Sequence, residues 1–82
     1  MRIDITCPKC NQEHTHAHAV VVDDRTRRLS MIAYAGGVEK VVRDLPENGD
    51  PISTSTRFAC ENGHQFSAVL RAHAGQSWII IE

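Results

Sequence analysis

The chain has 82 residues, with nine Lys and Arg against ten Asp and Glu, and its formal net charge is −1. This balance provides no global basic field to attract nucleic acid. The length fits one domain, residues 1–82, and chains this small often need a metal ion or a disulfide to stabilise a limited core. No apolar run reaches the roughly 20 residues of a membrane-spanning helix, so we expect a cytoplasmic protein.

The aliphatic composition favours β-structure, since Ile and Val together number fourteen against three Leu. Alternating polar and apolar residues, a β-prone run at 52–59 and a short apolar run at 78–81 predict strands at both ends and through the middle of the chain. The predicted strands cover residues 2–6, 13–22, 29–35, 52–59, 66–72 and 77–81. The Gly36-Gly37 pair indicates a chain reversal after the third of them.

One segment, residues 38–45, fits two structures. Three valines and Leu45 fall at the i, i+3, i+4 and i+7 positions of a helical stripe. The same valines and the preceding glycine turn also fit the second strand of a hairpin, and this strand is our prediction. Residues 46–51 are rich in proline, glycine and asparagine, which predicts a loop.

The chemistry of the chain is concentrated in two short cysteine motifs. Cys7 and Cys10 form a Cys-x2-Cys pair, and Cys60 is followed four residues later by His64 across a turn that contains Gly63. Three thiols and one imidazole form a known ligand set for structural zinc. Because this set uses every cysteine of the chain, we predict a zinc ion bound by these four residues.

Other uses of the cysteines fit less well. A redox Cys-x2-Cys pair normally opens a helix in a βαβ unit, and no such pattern is present. A disulfide would leave one thiol over, and no signal-peptide pattern argues for an oxidising compartment, so we expect reduced thiols. The 49 residues between Cys10 and Cys60 exceed the usual spacing of about 15–20 between paired motifs, so a sizeable insertion must lie between them. We therefore predict a small β-rich, metal-stapled domain of antiparallel hairpins, zinc-ribbon-like, with an enlarged central hairpin.

With these motifs in view, the chain resembles small zinc-ribbon proteins of bacteriophages and their hosts. These have a Cys-Pro-x-Cys motif, a histidine on the next strand, a Cys-Glu-x-x-His segment and a later His-x-Gly-Gln-Ser/Thr segment. The resemblance covers both ends of the chain and implies a metal-stabilised fold but no activity. The matching positions are Cys7, Pro8, Cys10, His16, Cys60, Glu61, His64, His73, Gly75, Gln76 and Ser77.

A row of histidines offers a second metal site as an alternative role. His14, His16 and His18 alternate along one predicted strand, where successive members lie about 6.6 Å apart on one face. Such a pair can chelate a metal, with His73 as a further ligand. One of the first two histidines is also an alternative to His64 as the fourth zinc ligand.

Recognition chemistry outside the histidines is concentrated in one polar turn. Arg25, Arg27 and Arg28 project from the predicted hairpin, where they can contact nucleic acid or a protein. The preceding Asp23 and Asp24 partly neutralise them. No catalytic triad, phosphate loop or acidic pair is readable, so a non-enzymatic binding module is the main expectation. The alternatives are a phage-type regulator that binds a host protein and a small metallohydrolase that uses the histidine row.

Overall fold

The computed structural model describes residues 1–42, 44 and 51–82. Those residues form six β-strands and no helix, so none of them belongs to a helix that could cross a membrane. The strands are β1 (Thr15–Asp24), β2 (Leu29–Tyr34), β3 (Gly37–Val42), β4 (Ile52–Cys60), β5 (Gln65–His73) and β6 (Gln76–Ile81).

All six strands belong to one antiparallel sheet with the order β3-β2-β1-β4-β5-β6. Two three-stranded meanders, β1–β3 and β4–β6, are therefore joined along one seam, the pairing of β1 with β4. The predicted fold class, a β-rich domain of antiparallel hairpins with a Cys/His cluster, is confirmed. Four strands lie between the two cysteine motifs, which accounts for the long insertion.

Two local predictions have different outcomes. Residues 37–42 form strand β3 rather than a helix. The described residues do not include Arg43 and Leu45 of the helical alternative, or residues 46–50 of the predicted loop. The strand predicted at residues 2–6 is wrong, because this segment pairs with no strand. It is held instead by the packing of Ile5 and by a hydrogen bond from the Thr15 hydroxyl to the Ile5 carbonyl (3.0 Å).

Strand β1 contains a bulge at His18, where its pairing with β4 shifts between Ala17 and Ala19. Ten residues of β1 therefore run alongside nine of β4. Beyond the bulge, the side chains of Val20 and Val22 project from the opposite side of the sheet to that of His16. Unbroken alternation along residues 13–22 predicts that Val20 and Val22 share a face with His16. This prediction is wrong, since the extra residue at the bulge reverses the alternation.

The two faces of the sheet differ in composition. Directly paired residues project to the same side, so the register assigns each side chain to a face. We call one side the apolar face. It carries eight large apolar side chains that are exposed, and they come from all six strands. These are Val20, Met31, Val38, Val42, Ile52, Leu70, Ile79 and Ile81.

The other side, the mixed face, combines buried residues, polar residues and four exposed large side chains, Tyr34, Val41, Trp78 and Ile80. Val21 and Val69 are buried there in the middle of the sheet, and both pair with Ser55. Ser30 is also fully buried, and its hydroxyl donates a hydrogen bond of 2.5 Å to the carboxylate of the directly paired Asp23. Pairing with an acceptor offsets the cost of burying this hydroxyl.

A compact cluster covers one end of the apolar face. Phe66 is buried against Cys7 and Cys60, and the partly buried Ile5 and Phe58 pack on the same group. The rings of Phe58 and Phe66 stack with centroids 5.3 Å apart. The N-terminal segment and the sheet therefore meet in a small aromatic and thiol-lined core.

We expect Phe66→Ala to lower the free energy of unfolding by about 3 kcal/mol, because it removes a buried ring and leaves a cavity. Urea unfolding of the metal-loaded protein measures the loss. The control is Tyr34→Ala, which removes an exposed ring on the mixed face and should cost less than about 1 kcal/mol. Equal losses in the two variants would show that the cluster at Phe66 is not the core of the domain.

Candidate metal centre

The first cysteine motif lies on a tight turn closed by backbone hydrogen bonds. The Cys7 amide donates to the Gln12 carbonyl (3.0 Å), and the Asn11 amide donates to the Cys7 carbonyl (2.8 Å). Asn11 has a φ of 60°, a left-handed conformation that asparagine tolerates better than most residues. The turn brings the thiols of Cys7 and Cys10 to one side of the chain.

The second motif forms a similar turn between β4 and β5. The Cys60 amide donates to the His64 carbonyl (2.9 Å), and the Gly63 amide donates to the Cys60 carbonyl (3.0 Å). Gly63 has a φ of 85°, which glycine adopts without the steric cost that a Cβ would impose. The sequence Cys-x-x-Gly-His thus folds back and places the imidazole beside the thiol.

These two turns bring Cys7, Cys10, Cys60 and His64 together in space. One ligand atom from each residue lies within 4.8 Å of all the others. Two distances define the group further: the Cys10 and Cys60 sulfurs are 3.7 Å apart, and the Cys60 sulfur is 3.6 Å from His64 Nδ1. The four residues predicted as ligands therefore form a group that can hold a metal ion.

Hydrogen bonds around the group favour a thiolate at Cys10. The Asn62 amide donates to the Cys10 sulfur at 3.5 Å. This bond, together with one from the Gln12 backbone, lowers the pKa of Cys10 from 9.0 to about 6. At Cys60, burial has the larger effect and raises the pKa. Since metals bind the thiolate, Cys10 is better prepared than Cys60 for a metal ion at neutral pH.

Sequence reasoning missed two residues that support the group. Asn62 stabilises the Cys10 sulfur from the opposite turn, and the Lys9 ammonium donates to the Gln65 carbonyl at 3.3 Å. Both contacts connect the first turn to the second. No sequence pattern indicates the contact of Asn62, because the amide donates to a sulfur on the other turn, 52 residues away.

The structure does not gather the histidine row. His14 precedes β1, His18 occupies the bulge, and His73 ends β5 far from the metal centre. His16 Nε2 lies 3.8 Å from the Glu61 carboxylate, and both side chains are largely exposed. Within the described residues, only the Cys/His cluster brings three or more potential ligands into metal-binding range.

The turn with Arg25, Arg27 and Arg28, here called the arginine turn, lies at the other end of β1, away from the metal centre. The Arg25 guanidinium donates to the Ser53 hydroxyl (3.2 Å), and its amide donates to the Pro51 carbonyl. Asp24 accepts hydrogen bonds from the amides of Thr26 and Arg27 and lies 3.8 Å from the Arg27 guanidinium. The turn is therefore fixed by local contacts, with the Arg27 side chain and Arg28 exposed.

Comparisons of the chain with protein-family models, with curated proteins and with solved structures found no match. The assignment of the centre therefore depends on its geometry and on the chemistry of its ligands.

We expect Asn62→Ala to make the metal ion easier to displace by acid. The parent keeps a low pKa at Cys10, so protons compete with the metal only as the pH falls towards about 6. Without the Asn62 donor this pKa rises, and half-release of the metal should move to higher pH. A chromogenic metal indicator followed during acid titration measures the shift. Glu61→Gln, an exposed neighbour in the same turn, should leave the titration unchanged, and equal shifts in both variants would contradict the role of Asn62.

Proposed function

We propose that this protein is a structural-zinc binding module. The separations between its ligand atoms support zinc as the metal. Tetrahedral zinc, with Zn–S bonds of about 2.3 Å and Zn–N bonds of about 2.0–2.1 Å, requires sulfurs about 3.8 Å apart and a sulfur-to-nitrogen distance of about 3.6 Å. The corresponding distances here are 3.7 and 3.6 Å.

The ligand set supports a structural rather than a catalytic ion. Three cysteines and one histidine complete the four positions of tetrahedral zinc, so no position remains for a water molecule or a substrate. The burial of Cys7 and Cys60 beside Phe66 also fits an ion that holds the fold together. The resemblance to phage and bacterial zinc ribbons agrees with this role.

The zinc would add to the hydrogen bonds and packing that already connect two distant parts of the chain. It joins the N-terminal turn at Cys7 and Cys10 to the β4–β5 turn, beside the seam where β1 pairs with β4. In a domain with so small a core, metal binding of this kind supplies much of the folding free energy.

We expect one zinc ion per chain in the purified protein, measured by elemental analysis. Cys60→Ser should abolish stoichiometric zinc, because it removes a buried ligand. His16→Ala, an exposed imidazole on the adjacent strand, is the matched control and should retain the ion. Absence of zinc from the parent, or a full complement of zinc in the Cys60→Ser variant, would refute the proposal.

The module then acts by contacting a macromolecule through the arginine turn. Hydrogen bonds to Asp24 hold this turn, which projects from the end of the sheet opposite the zinc site. A partner bound to the turn would therefore leave the zinc ligands undisturbed. A protein partner fits better than nucleic acid. The Arg25 and Arg27 side chains already contact Ser53 and Asp24, and the net charge of −1 supplies no attraction for phosphates.

The test compares two variants of equal charge, both checked for zinc content. The triple change of Arg25, Arg27 and Arg28 to Ala should lose one specific protein complex that resists nuclease and has a shallower salt dependence than a nucleic-acid complex. The control changes Arg2, Arg57 and Arg71 to Ala and should keep that complex. Binding of labelled DNA or RNA that weakens steeply with salt, and flattens in the first variant, would instead assign a nucleic-acid partner. A first variant that keeps every interaction of the parent would refute the arginine turn.

A further inference from the structure

The apolar face is left largely uncovered by the other residues that the structure describes. The N-terminal segment and the metal centre cover only its end near Phe66. Across the remaining strands lie eight exposed large side chains, and only two charged residues, Asp24 and Lys40, interrupt them. A stable domain normally buries such a face against a second layer, and the described residues supply none.

A groove extends this surface towards the covered end. It has a volume of about 760 Å³ and lies between the N-terminal segment and strands β5 and β6. Its lining is mostly apolar and includes Ile3, Ile5, Leu70, Ile79 and Ile81. The last three belong to the apolar face, so the groove and the face form one continuous surface.

The surface area of the chain indicates how much is left to bury. The accessible surface is 6240 Å², whereas a compact monomer of 9.1 kDa exposes about 4,900 Å². The radius of gyration, 14.0 Å, likewise exceeds the roughly 12 Å of a compact 82-residue domain. The excess of about 1,300 Å² lies within the range of about 1,000–2,500 Å² that each subunit of an obligate homodimer buries.

We propose that a second copy of this chain covers the apolar face, so that two sheets pack face to face as a β-sandwich. Two sheets pack about 10 Å apart when their inner faces are apolar. Residues 1–42, 44 and 51–82 form a single sheet with such a face and supply no second layer for it. A two-fold axis would also bring this face against itself, and one acidic and one basic residue on it allow opposite charges to meet.

The dimer surface is separate from both the zinc ligands and the arginine turn. The arginine turn lies at the end of β1 and not on the face, so both copies of a dimer would still display it. A monomeric protein would therefore contradict only the dimer, because zinc content and binding at the arginine turn are measured separately.

The experiment measures the mass of the purified, zinc-loaded full chain by light scattering and by sedimentation over a range of concentrations. The parent should have the mass of two chains of 9.1 kDa each. Ile79→Lys places an ammonium group on the apolar face, where its side chain is 65% exposed in the single chain. It should weaken dimerisation about 100-fold, because the dimer would bury this charge without a partner.

The neighbouring residue supplies a matched control. Ile80 has the same side chain on the same strand but projects from the mixed face, so Ile80→Lys should keep the dimer. Val42→Lys and Val41→Lys form a second pair of this kind on β3 and serve if a β6 variant fails to fold. Zinc content and circular dichroism verify the fold of each variant.

Each outcome decides the proposal. Selective loss of the dimer in the apolar-face variants supports it. A mass of one chain at every concentration overturns it. A dimer that survives all four changes, or that weakens equally within each pair, also overturns it, because the copies would then pair along their edge strands.

Discussion

The structure depends on the convergence of two turns that are far apart in the sequence. Within each meander, every strand pairs with its neighbour along the chain, and such local pairings close only short loops. The seam between β1 and β4 is different, since it joins Thr15 to Cys60. The Cys/His cluster lies at the end of this seam, with two ligands from the turn before β1 and two from the turn after β4. A bound ion therefore reinforces the one strand pairing that closes a long loop.

Much of the fold follows from local patterns in the sequence. Alternation of polar and apolar residues, together with β-prone and apolar runs, placed β1, β2, β4, β5 and β6 within two residues, because such residues favour strands and a sheet residue changes side at every step. The ligand group was predictable for a different reason. Thiols and imidazoles have few structural uses in combination, so their chemistry identified four residues despite the long separation between them.

The N-terminal segment shows where such patterns mislead. Residues 2–6 alternate as a strand does, but an alternating segment forms a strand only where a sheet edge is available to it. Here Cys7 must reach the metal centre, and Ile5 packs against the cluster around Phe66. Packing and ligand geometry thus override the pattern. The contact of Asn62 with Cys10 could not be placed from sequence either, since it connects two turns whose meeting only the fold establishes.

The bulge at His18 has a consequence for how the length of the chain can vary. Elsewhere in β1, an insertion or deletion of one residue would move every later side chain of the strand from the apolar face to the mixed face, or the reverse. At His18 the chain already contains one residue more than β4 requires. A deletion there would restore a regular ladder, with Ala17 and Val20 still on the apolar face and Val21 still on the mixed face. Position 18 is thus the point in the central strand where evolution can remove a residue without rearranging either surface of the sheet.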